Sequence, residues 1–306
     1  MKTLLAVWLT LAAVWISAAE LKVLTIGNSF ADSVFEMFPQ IAAAQGDRLV
    51  LARANLGGCS LERHAALIKQ CEKDPACKPY DGGKASLKDM LTRERWDIVT
   101  VQQVSHESWK AESFHPYLDE IVASIRKYAP QAEIVIQQTW AYRVDAPHFP
   151  GWKIDQAIMY RRAADNYRRE ARQYRFRLIP TGDAVQLVRR TQPVKYTPLP
   201  AAEVAKLTYP QLPNQAGSLI NGYRWGKDKT GTYKLGGDLI HLNRRGQYLQ
   251  SCVWYAFLFG KDVTGCGFVP KGVAPADAAF LRSAAQQTVN EARAEQAKYL
   301  PVKTGK

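Results

Sequence analysis

From Glu20 onward, short apolar runs alternate with stretches whose apolar residues recur at helical spacing. Leu21-Lys22-Val23-Leu24-Thr25-Ile26 ends at Gly27, the pattern of a strand buried on both faces of a parallel sheet. A helix is expected over about Ser33 to Gln45, with Pro39 as a blemish inside it, and a second strand over Arg48 to Ala54. Ser86 to Arg95 reads as a short helix, and Trp96 to Gln102 as the third strand. Phe114 to Tyr128 has helical spacing, Ala132 to Thr139 is the fourth strand, Asp155 to Tyr174 a long charged helix, and Phe176 to Pro180 the fifth strand.

Strands separated by helices imply right-handed βαβ crossovers and a parallel sheet covered on both faces. Five such strands suit an α/β, flavodoxin-like three-layer sandwich with a five-stranded parallel sheet in the order 2-1-3-4-5. Ligands in such sheets bind beyond the carboxyl ends of the strands, at the switch between strands one and three. Ser29, Gly58 and Gln102 each fall at or just past such an end. From about Arg189 to Gly236 the periodicity fails, broken by Pro193, Pro198, Pro200, Pro210 and Pro213, with Tyr196, Tyr209, Tyr223 and Trp225 scattered through it. That stretch reads as an insertion packed beside the site, more a covering lobe than padding. Asn243 is placed to cap a helix presenting Leu249, Cys252, Val253, Ala256 and Phe257, which puts His241 in the loop feeding it. The main domain thus covers 20–260. Residues 261–306 form a C-terminal extension whose stretch from Pro275 to Leu300 is polar, Ala-rich and helical, either docked on the body or loosely held.

Met1 to Ala19 has the layout of a secretory signal: Lys2, an apolar run from Leu4 to Ile16, and small residues before Glu20. A membrane anchor is the rival reading, but a spanning helix needs ~20 apolar residues. The expected chain is secreted or periplasmic, without stable membrane insertion. The formal net charge is +13. The basic residues are scattered, and Arg161-Arg162, Arg168-Arg169 and Arg172 suit the wet face of a helix; no nucleic-acid motif accompanies them. Five cysteines in an exported chain allow disulfides but leave one over. Cys71 and Cys77 make the favoured local bridge; Cys59–Cys252 and Cys252–Cys266 are competing further pairings. Their spacing does not suggest a zinc site.

Three blocks carry candidate chemistry. Gly27-Asn28-Ser29-Phe30 follows the first strand, Gly57-Gly58-Cys59-Ser60-Leu61 the second, and Asp238-Leu239-Ile240-His241 comes far downstream. A serine hydroxyl becomes an effective nucleophile when a neighbouring base takes its proton. Ser29 would also serve as a helix cap, and both roles are compatible. Together the blocks resemble the SGNH (GDSL-like) hydrolases, most closely a poorly characterised secreted branch, over roughly Leu21 to Gly260. The resemblance implies a Ser29 nucleophile, a His241 base and an orienting Asp238, with an oxyanion hole made by the N–H groups of Ser29 and Gly58. Asn28 stands where most of the superfamily has aspartate. The third oxyanion donor, normally an asparagine after strand three, has no direct counterpart in Gln102-Gln103-Val104-Ser105-His106-Glu107. Gln102 is the choice, with Gln103 and His106 behind it. Among the other histidines, His64 lies on a helix, His115 opens one, and His148 sits in a Pro-rich loop. Trp140 is a candidate sugar platform or a core residue, and Arg143 a candidate anion contact.

The expected function is a secreted serine esterase that removes small acyl groups, acetyl foremost, from a carbohydrate. Neither metal nor organic cofactor is called for, and the partner is an acylated carbohydrate or other small ester. The alternatives are a non-catalytic glycan-binding module on the same fold, and a lipase or phospholipase. The oligomeric state is left open.

Overall fold

The computed structural model describes residues 20–301, so the expected leader lies outside the described residues. The strands are β1 (Glu20–Gly27), β2 (Arg48–Asn55), β3 (Ile98–Val101), β4 (Glu133–Gln137), β5 (Arg177–Ile179), β6 (Ile220–Lys227) and β7 (Tyr233–Leu242). The helices are α1 (Ser29–Asp32), α2 (Phe38–Ala44), α3 (Leu61–Lys73), α4 (Leu87–Thr92), α5 (Tyr117–Tyr128), α6 (Phe149–Trp152), α7 (Gln156–Tyr174), α8 (Thr181–Thr191), α9 (Ala201–Val204), α10 (Arg244–Phe259) and α11 (Pro275–Gln296).

The first five strands form one parallel sheet in the order β2-β1-β3-β4-β5, the order read from the sequence. The period-two geometry of a strand sends neighbouring side chains to opposite faces. Val23, Ile98 and Val135 accordingly join a core shared with α2, α8, α10 and α11, whereas Leu24, Val99 and Ile134 join one shared with α3, α4 and α5. That two-sided burial explains why these strands read as continuous apolar runs.

Several expectations are corrected. The helix expected over Ser33 to Gln45 is shorter: 33–37 are turns, and Pro39 lies in the first turn of α2 and starts that helix instead of interrupting it. The stretch from Arg189 to Gly236 is not irregular throughout: α8 runs into its start, and β6 and β7 pair as an antiparallel hairpin. His241 therefore stands on β7 and not in a loop, while Asn243 caps α10 by accepting the Gly246 N–H at 3.1 Å.

The C-terminal helix docks. Ala278, Leu281, Ala285 and Val289 are buried against the body. At its end the Gln296 side chain donates to the Leu178 carbonyl at 2.8 Å and accepts the Leu178 N–H at 3.0 Å. An amide side chain thus pairs with the outer edge of β5, covering groups that an open edge would present to another strand. Removing two methyl groups by Val289→Ala should lower the unfolding free energy by about 2 kcal/mol, from lost transfer energy and the cavity left behind. A urea titration checks it, and an unchanged midpoint would mean that α11 adds nothing to the folded core.

Candidate active site

Ser29 stands in the first turn of α1, directly beyond β1. Asn28 caps that turn, its Oδ1 accepting the Phe30 N–H at 3.1 Å. The same oxygen accepts from Gln102 Nε2 at 3.1 Å, and Asn28 Nδ2 donates to the Cys59 carbonyl at 3.1 Å. One amide therefore ties together the loops leaving β1, β2 and β3. An aspartate would serve the first two contacts but has no hydrogen for Cys59, which gives a physical reason for asparagine here.

Ser29 Oγ lies 2.9 Å from His241 Nε2. On the other side of the ring, Nδ1 lies 3.0 and 3.1 Å from the two oxygens of Asp238. Asp238 also accepts the backbone N–H of His241 at 3.1 Å and the Asn221 side-chain amide at 2.9 Å. Burial by itself would raise the Asp238 carboxyl, but the Asn221 and His241 hydrogen bonds and the nearby imidazole outweigh it and hold the group below the usual carboxylate range. Phe30 meets the His241 ring edge-on at a centroid distance of 5.5 Å and stacks on Trp140 at 4.0 Å. Trp140 in turn donates to the Ile240 carbonyl at 2.9 Å, so the imidazole is backed by packed aromatic rings.

Gly58 follows β2 with φ +62, a conformation that favours glycine, and its N–H has no partner within the protein among the described residues. The Ser29 N–H begins a helix and has no intrahelical acceptor. The expected third donor is corrected. Gln102 is sealed from solvent and its amide is turned onto Asn28, so it braces the serine turn from behind and does not face a substrate. Gln103 is committed as well, accepting from the Leu61 and Val104 N–H groups and donating to the Ser113 carbonyl. His106 is largely exposed, with Glu107 Oε1 3.9 Å away.

Trp140 is core and not a surface platform, and Arg143 is buried in a paired interaction with Asp145 at 2.6 and 2.8 Å, which removes it as an anion contact. His115 lies between Asp119 at 2.8 Å and Glu170 at 2.6 Å, and His148 packs against Tyr142 and Trp152. Cys71 and Cys77 form a disulfide; Cys59, Cys252 and Cys266 are free and buried, so neither competing pairing is present. Among the described residues no group of three His, Cys, Asp or Glu is arranged to hold a metal.

Sequence reasoning missed Asn221, Phe30 as the backing of the imidazole, and His64. Buried on α3, His64 lies 2.9 Å from the Gly27 carbonyl through Nε2 and 2.8 Å from the Tyr80 hydroxyl through Nδ1. Burial pushes its pKa down to about 4, against a smaller upward pull from the Gly27 carbonyl. A neutral ring donating from Nε2 and accepting at Nδ1 satisfies both contacts. Beside His241 opens a cleft of about 980 Å³, walled by Phe149, Ile154, Leu199 and Leu239 and reaching Tyr223 and Asp238. The segment at Pro198–Ala201 forms part of that wall, and no helix of the described residues is long and apolar enough to cross a membrane.

A fold of this order, with a serine, a histidine and a carboxylate joined at the carboxyl ends of its strands, is of the type found in serine hydrolases. The model of the DUF4886 family, a domain of unknown function, matches residues 22–196, more than half of the chain, and the protein belongs to that family. Among solved structures, a DUF4886 family protein from Bacteroides uniformis is 26% identical, with a TM-score of 0.68, covering 89% of this chain and 95% of its own. An acetyl xylan esterase is 14% identical with a TM-score of 0.44, covering 77% of this chain and 98% of its own. A member of the lipolytic G-D-S-L family from Veillonella parvula is 9% identical with a TM-score of 0.41, covering 78% and 98%. No curated protein matches the chain.

Proposed function

We propose that the protein is an exported Ser-His-Asp esterase that removes small acyl groups, acetyl foremost, from a carbohydrate. One observation carries the esterase part: the continuous contact from Ser29 Oγ to His241 Nε2 and from Nδ1 to Asp238. Ser29 Oγ attacks the ester carbonyl carbon while its proton passes to His241 Nε2. The N–H groups of Ser29 and Gly58 are the donors we assign to the oxyanion. When the tetrahedral intermediate collapses, the bond to the alcohol oxygen breaks and that oxygen takes the proton from His241. Water then attacks the acyl-enzyme, gives its proton to the same nitrogen, and releases the acid as Ser29 recovers its hydrogen. Atoms balance with water as the sole co-substrate.

The Cys71–Cys77 disulfide supports export, since such bonds persist in oxidising compartments. Carbohydrate as the alcohol is supported by the aromatic residues of the hairpin region. A fluorophosphonate probe separates this reading from a glycan-binding module: rapid labelling of Ser29, lost in His241→Ala, is expected, and an unlabelled wild type would leave binding as the function. Esters of increasing acyl length address the lipase alternative. The rate should be highest for acetyl, and a kcat/KM that climbs with chain length would make the apolar cleft an acyl site.

A further inference from the structure

The direction of proton transfer fixes which half of a substrate meets the cleft. The leaving oxygen must receive its proton from His241 Nε2, so the alcohol half departs on the histidine's side, where the 980 Å³ cleft begins. Tyr223, paired across the hairpin with Gly237, lines that cleft. It also lines a second hollow, of about 590 Å³, bordered by Leu207, Tyr209, Trp225, Tyr233 and Leu235. Ligand pockets commonly measure about 300–1,000 Å³, so the two together exceed what a single small alcohol needs.

The second hollow has its own chemistry. Tyr209 and Tyr233 stack with centroids 3.8 Å apart, and Trp225 meets Tyr209 edge-on at 5.9 Å. Trp225 is held by donating to the Gln211 carbonyl at 2.7 Å. Yet Tyr209 and Tyr233 are exposed, an unusual cost for stacked rings with nothing to meet. β-strand alternation places Tyr223, Trp225 and Lys227 on one face of β6, opposite Gly237, Leu235 and Tyr233. Lys227 Nζ sits 5.1 Å from the Tyr233 ring centre. Arg224, Lys227 and Lys229 are exposed and, among the described residues, have no carboxylate within ion-pair distance; Lys234 pairs with Asp228 at 3.0 Å.

Resting on the esterase reading above, we propose that the alcohol half is an acidic polysaccharide chain that runs from His241 past Tyr223 onto the Tyr209–Trp225–Tyr233 surface. Sugar rings present C–H faces to aromatic rings, and hydroxyls to water. Carboxylates along the chain meet Lys227, on the same face of β6 as Trp225, and Lys229 in the adjoining turn. A polyhydroxylated chain also offers the ester oxygen that the site needs, which a nucleic acid phosphate backbone does not.

The test is equilibrium binding to the full chain carrying Ser29→Ala, followed by tryptophan fluorescence and calorimetry, with polygalacturonate oligomers as the acidic probe. Neutral xylo-oligomers and a single-stranded oligonucleotide serve as comparisons. The acidic oligomer should bind more tightly than either. Trp225→Ala and Tyr209→Ala, each with an unchanged circular dichroism spectrum, should weaken it on the order of 10-fold. Lys227→Glu should weaken the acidic oligomer and leave the neutral one unaffected. Equal binding of acidic and neutral oligomers, tighter binding of the oligonucleotide, or no effect of the aromatic changes overturns the proposal. Because this assay needs no turnover, a wild type that labels with fluorophosphonate but a Ser29→Ala protein that ignores the polysaccharide would sink this inference alone.

Discussion

The Asp238→Asn protein is expected to hydrolyse an activated acetyl ester on the order of 10³–10⁴ times more slowly than wild type, with its fold intact. The carboxylate receives Nδ1–H of His241 in the resting site, which leaves Nε2 unprotonated and facing Ser29 Oγ at 2.9 Å. An asparagine presents one acceptor where the carboxylate has two, and its NH₂ group favours the opposite tautomer, whose Nε2–H has no use for the serine proton. The imidazolium formed during attack also loses its counter-charge. Neither effect disturbs the packing, because Phe30 and Trp140 hold the ring from its other side. Asp238 is held below the usual carboxylate range, so its charge persists throughout the neutral range in which activity would be measured. Steady-state kcat and KM for both proteins, with thermal melting as a control, decide the matter. A variant as fast as wild type would make Asp238 a structural residue.

The sheet order was readable because the central strands β1, β3 and β4 are buried on both faces, and such burial writes itself into the chain as uninterrupted apolar runs. The turn holding Ser29 and the pairing of Asp238 with His241 were readable because both are local: a residue beyond a strand, and a three-residue offset on one chain. What failed was non-local or masked. The β6–β7 hairpin has alternating Tyr223, Trp225 and Lys227, and a turn from Asp228 to Gly231, but Gly222, Gly226, Gly236 and Gly237 thin the pattern and the prolines upstream draw it toward irregularity. Gln102 was assigned by its position at the end of β3, which was right for where it lies and wrong for where it points. Its partner is Asn28, 74 residues away, and nothing along the chain marks that contact. Trp140 and Arg143 likewise have residue types that suit a binding surface, and only the fold reveals that one is packed under Phe30 and the other is neutralised by Asp145.

Acid should loosen this protein well above the pH at which its carboxylates titrate, and His64 should be the reason. In the unfolded chain a histidine takes its proton near ~6.5. In the folded chain burial holds His64 neutral down to about 4. Above the unfolded value neither state binds the proton, and stability is at its full value. As the pH falls below it, the unfolded state gains a proton that the folded state refuses, so stability drops by about 1.4 kcal/mol per pH unit and levels off only below the folded value. Between pH 7 and pH 4.5 the loss from this one residue should come to about 2 to 3 kcal/mol. His115 works in the opposite direction over the same window: burial lowers it, but its bonds to Asp119 and Glu170 prevail and raise it, so the comparison must be made against a variant. His64→Gln is suited to this, since an amide can donate to the Gly27 carbonyl and accept from Tyr80 without taking a proton. Urea titrations at the two pH values should show a smaller difference for His64→Gln than for wild type. Protonating His64 keeps its Nε2–H bond to the Gly27 carbonyl and turns Nδ1 from the acceptor of the Tyr80 hydroxyl into a donor facing it, so the loss falls on the Tyr80 contact and on burying the charge. Parallel losses in both proteins would assign the acid sensitivity elsewhere and leave His64 as packing alone.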